Sequence, residues 1–109
     1  IAVNGDRSEP LPLTPGTYPE AFHEISVTLL SGRDLVAMDI TNTSDPYCKV
    51  FVEGDSFYRK KMLSSVKYST LNPDWNESLR LWPVDFTHPD ATLVVEVWDH
   101  DRTSGDDFM

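Results

Sequence analysis

Apolar and polar positions begin to alternate at residue 24, and from there no window carries the 3.6-residue period of a helix. Ile25, Val27 and Leu29 alternate with Ser26, Thr28 and Leu30, which predicts a strand with one buried face. Ser31-Gly32 interrupts it, and Leu35 to Asp39 leads into a polar loop from Ile40 to Asp45. Pro46 opens a second alternating run, Tyr47 to Val52, which Gly54-Asp55 closes as a turn. Phe57 to Tyr68 is basic and weakly patterned and reads as a third strand. Leu71-Asn72-Pro73-Asp74 has turn chemistry, Trp75 to Trp82 reads as a fourth strand, and Pro83 to Asp90 as a loop. Thr92 to Trp98, β-branched and aromatic, is the strongest strand, and an acidic loop from Asp99 to Asp107 follows it.

Five short strands separated by Gly, Pro and Asn turns predict an all-β sandwich or barrel. The N-terminal stretch differs, because prolines 10, 12, 15 and 19 crowd it and cannot supply ladder N–H groups. Residues 1–23 therefore read as a Pro-rich arm or linker, with a first strand left open, and 24–109 as the folded domain.

Charge narrows the function. Eighteen acidic against nine basic residues give a net charge of −9, which argues against a general nucleic-acid binder with its basic stripe. No run approaches the 18 apolar residues of a spanning helix, and Ile1 to Glu9 lacks the pattern of a signal peptide. The single Cys48 excludes an internal disulfide framework and fits a reducing, cytoplasmic compartment. It reads as a small buried hydrophobe.

The acid is concentrated. Asp39 and Asp45 flank one loop; Asp99, Asp101 and Asp107 lie on another, with Asp106 adjoining the last. In a sandwich both loops can lie at one end. Two such carboxylates about 4 Å apart repel by about 4 kcal/mol at an effective dielectric near 20. A cation relieves that, and calcium suits an all-oxygen set on flexible loops. Zinc has no His/Cys set of the right spacing, and the twelve-residue EF-hand loop is missing. A solvated acidic loop end without a metal is the alternative.

Three separated motifs go further. Ser44-Asp45-Pro46-Tyr47-Cys48-Lys49-Val50, then Thr70 to Glu77, then Val97 to Arg102 with Asp106 to Met109, resemble the C2 domain, the calcium- and phospholipid-binding module of conventional protein kinase C and synaptotagmin. The resemblance implies an antiparallel Greek-key β-sandwich, eight-stranded when complete, with its calcium loops at one end. It implies that Asp39, Asp45, Asp99, Asp101 and Asp107 hold two or three calcium ions. Family members continue past the position of Met109, so the chain is expected to lack its last strands, which leaves strand swapping or oligomerisation open.

The implied function is calcium-dependent, peripheral targeting to anionic phospholipid membranes, with phosphatidylserine the main ligand and phosphoinositides a second. A calcium-independent protein-interaction sandwich is the alternative. No nucleophile elbow or other catalytic motif is present, so the module reads as non-catalytic, with the parent protein's own activity left open. Ile40 is the expected membrane-inserting tip, and His100 and Thr103 occupy tip positions of the second loop. Arg102, Lys49, Lys61 and Lys67, with Tyr47 and Trp98, are the candidate headgroup contacts, and Asn72 is expected near them. Arg59, Lys60, Lys61 and Lys67 lie in an acid-free stretch, although Phe51, Leu63 and Ser65 replace residues that are often basic in the family. Thr70 to Glu77 reads as architecture, with Trp75 as a core anchor, and Phe108 as packing at the loop base.

Overall fold

In a computed structural model, residues 2–7, 22–54, 60–85, 90–103 and 105–109 can be described. They form seven strands: β1 (Ala2–Arg7), β2 (Phe22–Ser31), β3 (Pro46–Glu53), β4 (Met62–Leu63), β5 (Asp74–Asp85), β6 (Thr92–Asp99) and β7 (Asp107–Phe108). Two antiparallel sheets result, ordered β1-β2-β5 and β4-β3-β6-β7. The chain changes sheet after β2, after β4 and after β5, which makes the antiparallel sandwich that the alternation predicts.

The buried faces explain the pairing of the sheets. Ile25, Val27 and Leu29 of β2 and Cys48, Val50 and Val52 of β3 meet in one core with Trp75, Leu81 and Val84 of β5. The β2 and β3 sets each lie two residues apart, so one face of each strand is apolar, and covering a buried aliphatic side chain contributes about 1.5–3 kcal/mol. Trp75 is anchored further by its Nε1–H, which donates to the Ser65 carbonyl at 3.1 Å. Glu77 accepts from the Ser65 N–H and hydroxyl, so the Thr70–Glu77 motif is architectural.

Four elements depart from the alternation. Of the segment from 57 to 68, only Met62 and Leu63 pair as a strand among the described residues, opposite Val50 and Lys49. The cause is Ser64, whose hydroxyl oxygen accepts the Cys48 N–H at 2.8 Å in place of a backbone carbonyl. Beyond it the chain still follows β3, the Lys67 N–H reaching the Pro46 carbonyl and the Thr70 N–H that of Ser44. Residues 83–85, expected in a loop, extend β5. A register shift opposite His23 and Ile25 puts one extra residue on β5, and that bulge accommodates Pro83. Residues 2–7 form β1 on the free side of β2, and Asp107 and Phe108, at the end of the expected loop, pair with β6. The prolines of the arm, Asp55 and Arg59 lie outside the described residues.

Gly54 closes the turn after β3 with φ at 81°, and a Cβ there would meet the Asp90 carbonyl oxygen at 2.4 Å. Only glycine fits both the conformation and the approach.

Candidate metal centre

The loop between β2 and β3 is shaped from inside. Ser44 is fully buried; its hydroxyl donates to the Val36 carbonyl at 2.8 Å and accepts the Met38 N–H at 2.9 Å. These bonds cinch the loop at its base. At its tip the Asp39 N–H reaches the Thr43 carbonyl and the Asn42 N–H reaches that of Asp39, each at 3.0 Å. Four residues are left to bridge a tight turn, and Ile40 is forced wholly into solvent, at 102% exposure. Arg33 ties the start of this loop to β5, donating to the Pro73 carbonyl at 3.2 Å and pairing with Asp74 at 2.7 Å.

The two acidic loops converge at one end of the sandwich. Carboxylate oxygens of Asp39, Asp45 and Asp99 all lie within 4.8 Å of one another. Asp99 ends β6 opposite Pro46 and is 1% exposed. Its Oδ1 accepts the Asp45 N–H at 2.7 Å, while its Oδ2 is buried with no hydrogen-bond partner. Asp45 Oδ1 accepts the Ser69 N–H at 2.7 Å. Burial, followed by the charges of Asp99 and Asp45, raises the Asp39 carboxyl above its ordinary value. Asp101 also raises it, so that carboxylate lies within electrostatic reach.

Asp101 and Asp107 stand beside this trio and are not gathered into it. Asp101 Oδ1 accepts from the Thr103 N–H at 2.9 Å and the Thr103 hydroxyl at 3.2 Å. Asp107 is exposed and sits directly opposite Asp99 in the β6–β7 ladder, so the two share a face of the sheet.

Asp106 was marked in the sequence only as a neighbour of Asp107, yet its carboxylate is a hub. Its Oδ2 accepts from the Tyr47 hydroxyl, and its Oδ1 takes the Asp101 N–H at 2.9 Å and lies 3.3 Å from His100 Nδ1. The Tyr47 hydroxyl and then the Asp101 N–H hold its pKa below the carboxylate range; burial and the same bond raise that of Tyr47. Nothing in an Asp-Asp pair tells a sequence reader which carboxylate faces which way.

His100, expected at a loop tip, is folded inward. Its N–H reaches the Asp45 carbonyl at 2.9 Å, and its ring meets Tyr47 and Tyr68 edge-on at 6.3 and 6.4 Å. Thr103 is exposed, and Arg102 lies 5.8 Å from the ring centre of Tyr68, a residue the sequence did not single out.

The outer face of the β4-β3-β6-β7 sheet adjoins this end. Lys49 Nζ lies 3.7 Å over the Trp98 ring and Lys61 Nζ 4.6 Å over that of Phe51. Trp98 donates to Glu96 at 3.1 Å and packs edge-on against Phe108 at 5.5 Å. Leu63 is the cross-strand partner of Lys49. Lys67 lies beside the start of β3 through its backbone bond to Pro46. Asn72 is turned to other work, its Oδ1 accepting the Asp34 N–H at 2.9 Å.

Comparison with known proteins places this architecture. A family model described as the C2 domain matches residues 23–109. Rabphilin-1 of Caenorhabditis elegans is 41% identical over 76 residues, which cover 70% of this chain and 7% of that protein. Synaptotagmin-9 of Homo sapiens is 35% identical over 92 residues, 84% of this chain and 19% of that protein. The chain thus spans less than a fifth of either relative. Among solved structures, the C2A and C2B domains of Extended-Synaptotagmin 2, described as calcium bound, align with a TM-score of 0.64 and 26% identity over 78% of this chain and 31% of that one. No helix among the described residues is long and apolar enough to cross a membrane. With the sandwich, the family match and these relatives in agreement, the chain belongs to the C2 domain family.

Proposed function

We propose that this chain is a calcium-dependent module that docks on anionic phospholipid membranes from the cytoplasm. The carrying observation is Asp99 Oδ2, a carboxylate oxygen that is buried without a partner and sits within a group of three acids. Leaving such an atom unsatisfied costs free energy that a cation repays. The donors are all oxygen, which fits calcium and disfavours softer metals. Asp39, Asp45 and Asp99 would hold the first ion, with Asp101 and Asp107 completing sites for two or three. The calcium-bound state described for the Extended-Synaptotagmin 2 domains supports the same reading.

The ions supply positive charge at an end that otherwise repels anionic lipid, and open positions for headgroup oxygens. This chain's residues do the rest. Ile40 offers an apolar tip for shallow insertion, and Arg102 lies on the neighbouring loop. Lys49, Lys61 and Lys67, with Trp98, form the headgroup face, and Tyr47 lies buried beneath it with its hydroxyl on Asp106. Phosphatidylserine is the main ligand and phosphoinositides a second, because Phe51, Leu63 and Ser65 stand where the family often has basic residues. We read the module as a binding unit that directs a longer protein to membranes rather than as a catalyst.

Calorimetry with calcium and cosedimentation with phosphatidylserine vesicles, with and without chelator, test this. Saturable calcium binding and calcium-dependent pelleting are expected. Pelleting indifferent to chelator, or binding of protein partners alone, would overturn it.

A further inference from the structure

We infer that Asp106 is a positioning residue for the cation centre and not one of its ligands, acting through Tyr47. The inference rests on the calcium reading above and extends it to a carboxylate that reading leaves without a role. The loop between β6 and β7 carries Asp101 and leads into Asp107; the His100 N–H bond to the Asp45 carbonyl holds its start, and its far end runs into a short strand. β7 is two residues long, and Gly105 stands in open space with φ at 85°.

Register separates the two adjacent aspartates. Asp107 is opposite Asp99 and Phe108 opposite Trp98, so successive residues point to opposite faces of the sheet. Asp107 shares the face of the buried Asp99 carboxylate. Asp106 falls on the other face, which Tyr47 shares as the cross-strand partner of Trp98. There its two oxygens collect the Tyr47 hydroxyl, the Asp101 N–H and the His100 ring nitrogen. Tyr47 is 5% exposed and sits two residues after Asp45, so it is a rigid post on the strand that carries a ligand of the first loop. The Tyr47–Asp106 bond thereby fixes the spacing between the loop that presents Asp101 and the strand that presents Asp45. Carboxylates that orient the ligands of a metal in this way typically change its affinity by about 10- to 100-fold when removed.

The experiment uses the full chain, with calcium alone as the titrant, and compares Tyr47→Phe, Asp106→Ala and Asp106→Asn. Tyr47→Phe leaves every proposed ligand in place. We expect it to weaken calcium about tenfold with the number of ions unchanged, Asp106→Ala to do the same, and the double variant to be no worse than either single one. Asp106→Asn, which keeps one acceptor oxygen, should recover part of the loss. Loss of one bound ion in Asp106→Ala, or wild-type affinity in Tyr47→Phe, would overturn the inference. Amide exchange at Asp101 in the calcium-free chain gives a second readout, faster in Tyr47→Phe and Asp106→Ala than in wild type. Unchanged exchange there overturns the inference whether or not calcium binds. Absence of calcium binding in the wild-type chain counts against the functional reading instead. Thermal unfolding of each variant identifies one that fails to fold, and Asp106→Asn then stands in for it in both measurements.

Discussion

Asp99 Oδ1 accepts the backbone N–H of Asp45 at 2.7 Å, so the two acidic loops are joined through residues proposed as ligands of one ion. The bond satisfies one carboxylate oxygen and leaves the other buried and bare. It also keeps Asp99 beside Asp39 and Asp45. The fold thus gathers like charges whose repulsion a bound cation would relieve.

Asp99→Asn tests that repulsion. The amide keeps an oxygen for the Asp45 N–H while the charge is lost. The apo variant should melt about 5 °C higher than wild type, since a gain near 1 kcal/mol moves a domain of this size by that much. The stabilisation wild type gains from calcium should vanish. Scanning calorimetry in chelator and in millimolar calcium reads both; an apo melting point below that of wild type would contradict the repulsion.

Ile40 separates insertion from ion binding. It is 102% exposed and buries nothing in the fold, so Ile40→Ser should change stability by less than about 0.5 kcal/mol. Calcium affinity should be unchanged, while affinity for phosphatidylserine vesicles falls by about tenfold, the loss expected from one apolar side chain. Vesicle titration beside calorimetry distinguishes the two.

Cys48 gives a pH dependence with a defined sign. Burial pushes its thiol up to about 12. The folded state therefore holds the proton more tightly than the unfolded chain, whose thiol titrates near about 8.5. The resulting stability is fully present below the unfolded value and is lost as pH rises through the interval towards the folded one. Denaturant midpoints should fall more steeply between about pH 9 and 11 in wild type than in Cys48→Ala. The folded thiol is buried and holds its proton, so at pH 8 a thiol reagent should react on unfolding and not before.

Gly54→Ala should destabilise the chain by at least about 1 kcal/mol, because the new Cβ meets the Asp90 carbonyl at 2.4 Å and the backbone sits at positive φ. Urea denaturation measures it. Gly105, also at positive φ but with nothing within 4 Å, should tolerate alanine better.

Much of the fold is legible along the chain because burial is periodic. Ile25, Val27 and Leu29, and then Cys48, Val50 and Val52, announce their buried faces by spacing alone, and the turn at Gly54 announces itself by residue type. β4 was not legible in its true extent, because a serine side chain takes over its ladder and no pattern of hydrophobicity encodes that. Pro83 looked like a breaker and is accommodated by a bulge that exists only against β2.

The candidate centre divides in the same way. Sequence alone determined that five aspartates cluster in and around two inter-strand segments, that Ile40 is an apolar residue in a polar turn, and that the family motifs occur in order, since all three are matters of residue type and spacing. Only the tertiary structure decided that Asp39, Asp45 and Asp99 converge first, that one oxygen of Asp99 is left bare, and that His100 turns inward. It also decided that of Asp106 and Asp107, identical and adjacent in the chain, the first bonds Tyr47 and the second pairs opposite Asp99. The reason is physical: which side of a strand a carboxylate occupies depends on the register of β7 against β6, and register is set by the partner strand, not by the residue.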